Sequence, residues 1–116
     1  MDLNKLKEPF NPEDIEWRIG MCGINKSGQP WAKALAYITA RAIHDRLDSV
    51  CGQENWQNRY KEHLGETICE IGIKIYDEWI WKAGGGDKTD FEAFKGGLSS
   101  AEKRAGVPWG IGRYLY

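Results

Sequence analysis

From Cys69 to Ile75 the chain reads CEIGIKI, with an apolar residue at every second position. Successive side chains of a strand point to opposite faces. Cys69, Ile71, Ile73 and Ile75 therefore form one face, and Glu70, Gly72 and Lys74 the other. YDE (76–78) predicts a tight turn into a second strand, WIWK (79–82), and WQNRYKEH (56–63) predicts a strand before the run. The result is a three-stranded antiparallel meander with one strongly apolar face, which helices must cover. Trp79 and Trp81 share one face of the last strand. Covering the sheet is the role expected of them, with base stacking or subunit packing as the alternative.

The flanking segments supply the helices. In NPEDIEWRIG (11–20), Asn11 suits an N-cap, Pro12 the first helical position, and Glu13 and Asp14 the positive end of the dipole. Ile15 and Ile19 lie four apart, so a helix is predicted there. NKSGQP (25–30) reads as a turn and WAKALAYI (31–38) as a short strand leading into a second helix. That helix is capped by Thr39, striped by Ile43, Leu47 and Val50, and stopped by Gly52. Its other face, with Arg41, Asp45, Arg46 and Asp48, reads as solvated. SSAE (99–102) matches a capping box, so a last helix is predicted to begin near Ser99. It turns Ala101, Ala105 and Val107 toward the sheet and Lys103 and Arg104 toward one border. Pro108 should end or kink it between Arg104 and Val107. The fold class is α+β, with helices on one face of an antiparallel three-stranded sheet, in one domain over residues 1–116.

Composition narrows the function. With 41% hydrophobic and 28% charged residues in 116, the chain is neither disordered nor short of a core. No apolar run approaches the roughly 20 residues that span a bilayer. The charged N-terminus has no signal-peptide core, so a cytoplasmic location is expected, that of the host if the chain is phage-encoded. Cys22, Cys51 and Cys69 are odd in number and widely spaced, and are expected to be buried thiols. With His44 and His63 at no ligand spacing, no metal or other cofactor is implied. KAGGGDKTD (82–90) lacks the spacing of a phosphate-binding loop and is expected to be a flexible connection. No nucleophile, metalloprotease or dinucleotide motif occurs, and Glu13/Asp14 and Asp77/Glu78 sit at a helix start and a turn. Catalysis is the weakest reading. Charge is unevenly spread: residues 1–94 carry net −4, and residues 95–116, with Lys95, Lys103, Arg104 and Arg113 against Glu102, carry net +3. On composition alone, Lys103 and Arg104 are surface decoration on an α+β domain with a basic end.

The closing block GGLSSAEKRAGVPWGIGRYLY (96–116) resembles the signature of the Rad-fifty-two-type single-strand annealing proteins of phages and bacteria. EWRIG near the start agrees with it. So does AYITARAIHDRLDSVCGQENW (36–56), similar to the family's Tyr-Ile entry into a helix that ends in a glycine before a tryptophan. The resemblance implies a β-β-β-α core with flanking helices, assembled as a homo-oligomeric ring or helical arc. Single-stranded DNA would lie in a basic outer groove, phosphates inward and bases exposed, and would be annealed without nucleotide hydrolysis. It implies phosphate contacts for Lys103 and Arg104. Arg41 falls one position, without gaps, from another of the family's groove cations. Arg113 is a candidate for a phosphate or an inter-subunit contact, and Lys95 shares the basic end. Gly110 and Gly112 should allow positive φ or close backbone approach, with Tyr114 and Tyr116 held at a subunit interface.

The function so indicated is non-enzymatic: binding and annealing of single-stranded DNA in recombination and repair. Self is one partner, and a single-strand-binding protein or an exonuclease are further ones. Two other readings stay open on the residues alone. One is a module that binds double-stranded nucleic acid by shape; the other is a structural oligomerisation domain that binds no DNA.

Overall fold

The alternating run is the middle of a three-stranded antiparallel sheet in the computed structural model, which describes residues 1–86 and 93–116, with side chains except at 86 and 93–97. In chain order the elements are β1 (Ile15–Ile24), β2 (Pro30–Ile38), α1 (Ala40–Cys51), β3 (Trp56–His63), β4 (Glu66–Ile75), β5 (Glu78–Gly86) and α2 (Ala93–Gly106). The larger sheet has the order β3-β4-β5, and β1 and β2 form a separate two-stranded hairpin. Leu64–Gly65 and Tyr76–Asp77 connect the three strands, all four residues at positive φ. That is the turn geometry that matches strand twist.

One face of this sheet is the core. Cys69, Ile71 and Ile73 are fully buried beneath α2, which turns Ala101 and Ala105 inward. Small residues bring the helix close. A Cβ on Gly84 of β5 would collide with the backbone of Arg104 and Ala105, so glycine is required there. Leu6, Ile43, Leu47 and Ile111 complete the core, each buried side chain contributing about 1.5–3 kcal/mol. Trp109 seals one side, and its Nε1 donates to the Ile71 carbonyl at 3.0 Å.

The opposite face is covered by its own side chains, as expected of the tryptophans. Trp81 lies flat on Gly72, where a Cβ would sit 2.7 Å from the ring. Trp79 stacks on Trp81 with centroids 6.1 Å apart. The Arg59 guanidinium lies 3.8 Å from the Trp81 centroid and donates twice to Glu70, at 2.7 and 3.0 Å. Lys61 also pairs with Glu70, and the hydrogen bonds from Lys61 and Arg59 hold its carboxyl below the usual carboxylate range despite burial.

Several predicted details are corrected. NPED does make a short 3-10 turn, Pro12–Asp14, but the helix predicted beyond it is strand β1. Residues four apart satisfy both a helical face and a strand face. Pairing with β2 selects the strand, in which Ile15, Trp17 and Ile19 alternate with Glu16, Arg18 and Gly20. α2 begins at Ala93, and Ser99 and Ser100 lie within it. The SSAE pattern is no cap, because burial of the helix face against the sheet outweighs local capping preference. Lys82 to Gly86 continue β5, so that part of the predicted loop is strand, while 87–90 lie outside the described residues. Cys22 is exposed on the hairpin, whereas Cys51 and Cys69 are buried.

α1 has the predicted cap, with Thr39 Oγ1 accepting from the Ala42 N–H, and the predicted stop at Gly52. Its polar face is not wholly solvated. Arg46 stacks 4.0 Å over Phe10 and donates to the carbonyls of Leu6, Glu8 and Pro9, and Asp48 accepts from Trp56 Nε1 at 2.7 Å. α2 does end where Pro108 requires, passing into a 3-10 turn, Val107–Trp109.

Candidate nucleic-acid interface

Register defines the two faces of the hairpin, because directly opposed residues of an antiparallel pair share a face. Glu16 faces Tyr37, Arg18 faces Leu35 and, beyond an irregularity at Gly20, Met21 faces Lys33 and Gly23 faces Trp31. This face carries cations and aromatics. The other pairs are Ile15 with Ile38, Trp17 with Ala36, Ile19 with Ala34, Cys22 with Ala32 and Ile24 with Pro30. That second face has no charged residue. Trp17, Ile19 and Ile24 on it are 68%, 71% and 73% exposed.

The charged face meets α2. The Lys103 ammonium lies 5.1 Å from the Tyr37 ring centroid, and the Arg18 guanidinium lies 5.8 Å from the same centroid. Tyr37, Ser100, Lys103, Arg104, Val107 and Tyr116 line a cleft of about 310 Å³. Lys103 holds its proton less tightly than an ordinary lysine, first because it is partly buried and then because Arg18 is close, with Glu16 partly opposing. Glu16 also pairs with Arg18 at 3.4 Å. An anion such as a phosphate placed in this cleft would offset the desolvation of Lys103 and its repulsion by Arg18 with an opposite charge, and the two tyrosine rings would offer faces to a sugar or base.

The cations stand on a fixed base. Glu102, next to Lys103 in α2, points the other way and is buried. It accepts from Asn58 Nδ2 at 2.9 Å and from the Tyr60 hydroxyl at 3.0 Å, and meets His44 Nε2 of α1. Burial, followed by the Glu102 carboxylate, pushes the Tyr60 phenol well above its ordinary range. Glu102 thus ties α2 to both α1 and β3. It is an anchor rather than the cap that the sequence pattern indicated.

Of the residues singled out from sequence, Lys103 and Arg104 come together at the cleft. Arg41 is exposed in the first turn of α1, with no hydrogen bond or ion pair among the described residues. Arg113 directs its donors to its own chain, binding the Val107 carbonyl at 2.7 and 3.0 Å and the Pro108 carbonyl at 3.0 Å. The side chain of Lys95 lies outside the described residues. Tyr114 and Tyr116 are held within the chain, their hydroxyls accepting from the Phe10 and Ile38 N–H groups. Sequence reading missed Tyr37 and Tyr116 as cleft residues, and Arg18 beside the Tyr37 ring. The alternation that puts Arg18 on the face of Tyr37 was present in EWRIG, but was hidden by the helical reading.

Fold and site define a class: a β-β-β-α unit bearing a projecting hairpin, with a cation–aromatic cleft where hairpin meets helix. The chain belongs to the Rad52/22 family of double-strand break repair proteins, whose family model matches residues 3–71. Over 114 residues, 97% of the chain, it is 31% identical to the single-stranded DNA-binding protein DdrA of Deinococcus deserti. It is 29% identical over the same length to the protein of that name from Deinococcus radiodurans. The alignments cover 55% and 53% of those proteins, so the chain spans about half the length of the curated relatives it matches.

Proposed function

We propose that this chain binds single-stranded DNA in the cleft between the hairpin and α2 and promotes annealing of complementary strands, without nucleotide hydrolysis, in recombination and repair. The observation that carries the reading is the convergence of Arg18 and Lys103 on Tyr37, beside Arg104. Cations supply sequence-independent phosphate contacts, and aromatic faces accept any base. The family and the names of the relatives point the same way. Trp31 and Lys33, on the same hairpin face, extend the track outward. Self-assembly into a ring or arc joins such tracks between copies, and the uncharged hairpin face is the surface suited to a second copy.

The test is a titration of fluorescent single-stranded and duplex DNA at several salt concentrations, with the parent, Lys103→Ala/Arg104→Ala and Arg18→Ala. For three phosphate contacts per subunit the parent's log–log salt slope is expected to be about −2, since a single strand gives about −0.7 per contact. The double variant should be shallower by roughly 1.4, and Arg18→Ala by roughly 0.7. Annealing of complementary oligonucleotides without added nucleotide should fall in the same order. Equal binding by parent and variants would remove the cleft from the reading. A preference for duplex would favour the shape-reading module instead.

A further inference from the structure

The hairpin is held at its root. Ile38 is the one residue between Ile15 and Ile38 that is buried. One wall of the cleft, Tyr37 with Arg18 beside its ring, stands on this hairpin, and the other, with Lys103 and Arg104, stands on α2. Cleft width is therefore set by the hairpin's angle to α2, and that angle by a few contacts near Ile15 and Ile38.

The end of the chain makes those contacts. The Tyr116 hydroxyl accepts from the N–H of Ile38, the last residue of β2, at 3.3 Å. Its ring lies 6.4 Å from the Tyr37 ring, centroid to centroid. The Tyr114 hydroxyl accepts at 2.9 Å from the N–H of Phe10, shortly before β1. Gly112, at φ +67°, presses on Ile38 so closely that a Cβ would sit 2.6 Å from Ile38 Cδ1. Gly110, at φ +94°, turns the chain into this position after Trp109. Arg113 then fixes the segment by binding the Val107 and Pro108 carbonyls. Thus the last residue of β2 and the segment leading into β1 are both tied to one short segment, which follows the cation-bearing helix after the turn at Val107–Trp109.

We propose that residues 110–116 form a latch that sets the hairpin's angle to α2, with Tyr114 and Tyr116 as its positioning residues. The latch itself stands on the geometry alone. Its consequence for DNA rests on the function proposed above. Tyr116 lines the cleft, so its loss could act by direct contact. Tyr114 is not among the cleft-lining residues, and its hydroxyl acts on the segment before β1. An effect of Tyr114→Phe on the cleft is therefore one of position.

The structure supplies a probe site. Cys22 is exposed on the hairpin, while Cys51 and Cys69 are buried, and burial pushes the Cys69 thiol up to about 12. A nitroxide at Cys22 and another at Ser49→Cys, on the exposed side of α1, report the angle as a distance distribution by pulsed electron resonance. The labelled chain is diluted with excess unlabelled protein so that only distances within a copy are read. The parent is expected to give a narrow distribution, and Tyr114→Phe and Tyr116→Phe broad or shifted ones, with unchanged far-ultraviolet dichroism. Single-strand affinity should fall about fivefold in each, the scale of one neutral hydrogen bond, with the salt slope of the parent retained because no phosphate contact is lost. Distributions in both variants as narrow as the parent's, at the same mean, would overturn the latch. A shifted distribution in a protein whose parent binds no single strand would keep the latch and discard the proposed function.

Discussion

The two sheets use similar side chains and treat them oppositely. In β4, Cys69, Ile71 and Ile73 are fully buried, whereas in β1 Trp17 and Ile19 are 68% and 71% exposed. Both strands alternate. What differs is what lies across from them: β4 has a strand on each side and α2 over one face, while β1 has only β2. The outer face of the larger sheet is closed by its own Trp81, Trp79 and Arg59. The hairpin leaves a cation–aromatic face and an uncharged face open. A two-stranded unit of this kind is marginal alone, so its stability has to come from its root, from ligand or from another copy. One region carries the fold, and the other presents surface.

The comparison is sharpest for stability. Ile71→Ala is expected to cost about 2–5 kcal/mol, the range for emptying a buried position, while Ile19→Ala should stay within about 0.5 kcal/mol under conditions that keep the chain monomeric. Urea titration of the two variants reads the difference directly. Similar costs would mean that the hairpin is as much a part of the core as β4.

A second break separates the proposed self-assembly from folding. If copies meet through the uncharged hairpin face, Trp17→Ser/Ile19→Ser should shift sedimentation to a smaller species while leaving the urea midpoint of the body unchanged. Sedimentation identical to the parent's would remove that face from the proposal. The smallest effect concerns the closed face. Glu70 has its carboxyl held below the usual range by Lys61 and Arg59, so its folded state binds a proton less readily than the unfolded state. That contribution is fully present above the ordinary carboxylate pKa and is lost as pH falls through the folded value. Between neutral pH and about pH 3 the parent should therefore lose more stability than Glu70→Gln. Equal losses would show that the ion pairs on this face leave acid stability untouched.

The family resemblance, the meander, α1 with its Thr39 cap and Gly52 stop, and the end of α2 at Pro108 were all legible in the sequence. Each rests on local chemistry: a period of two, a side chain that bonds its own backbone, or a ring that cannot continue a helix. What sequence reading misassigned was decided at a distance. Ile15 and Ile19 fit a helix or a strand until β2 pairs with β1. The glycines at 84 and 85 read as loop until α2 lies against β5, where Gly84 leaves room for the Arg104 and Ala105 backbone. Glu102 looks like a cap until His44, Asn58 and Tyr60 surround it.

The candidate site divides in the same way. Sequence alone singled out Lys103 and Arg104, because a cation pair on a small-residue helix edge, within a recognisable block, is a local pattern. Only the tertiary structure brought Arg18 and Tyr37 to them from more than sixty positions away in the chain and set Tyr116 beside them. A charge acquires a perturbed environment from whatever surrounds it in space. The partial burial of Lys103 and its repulsion by Arg18 are properties of the folded chain that no local pattern encodes.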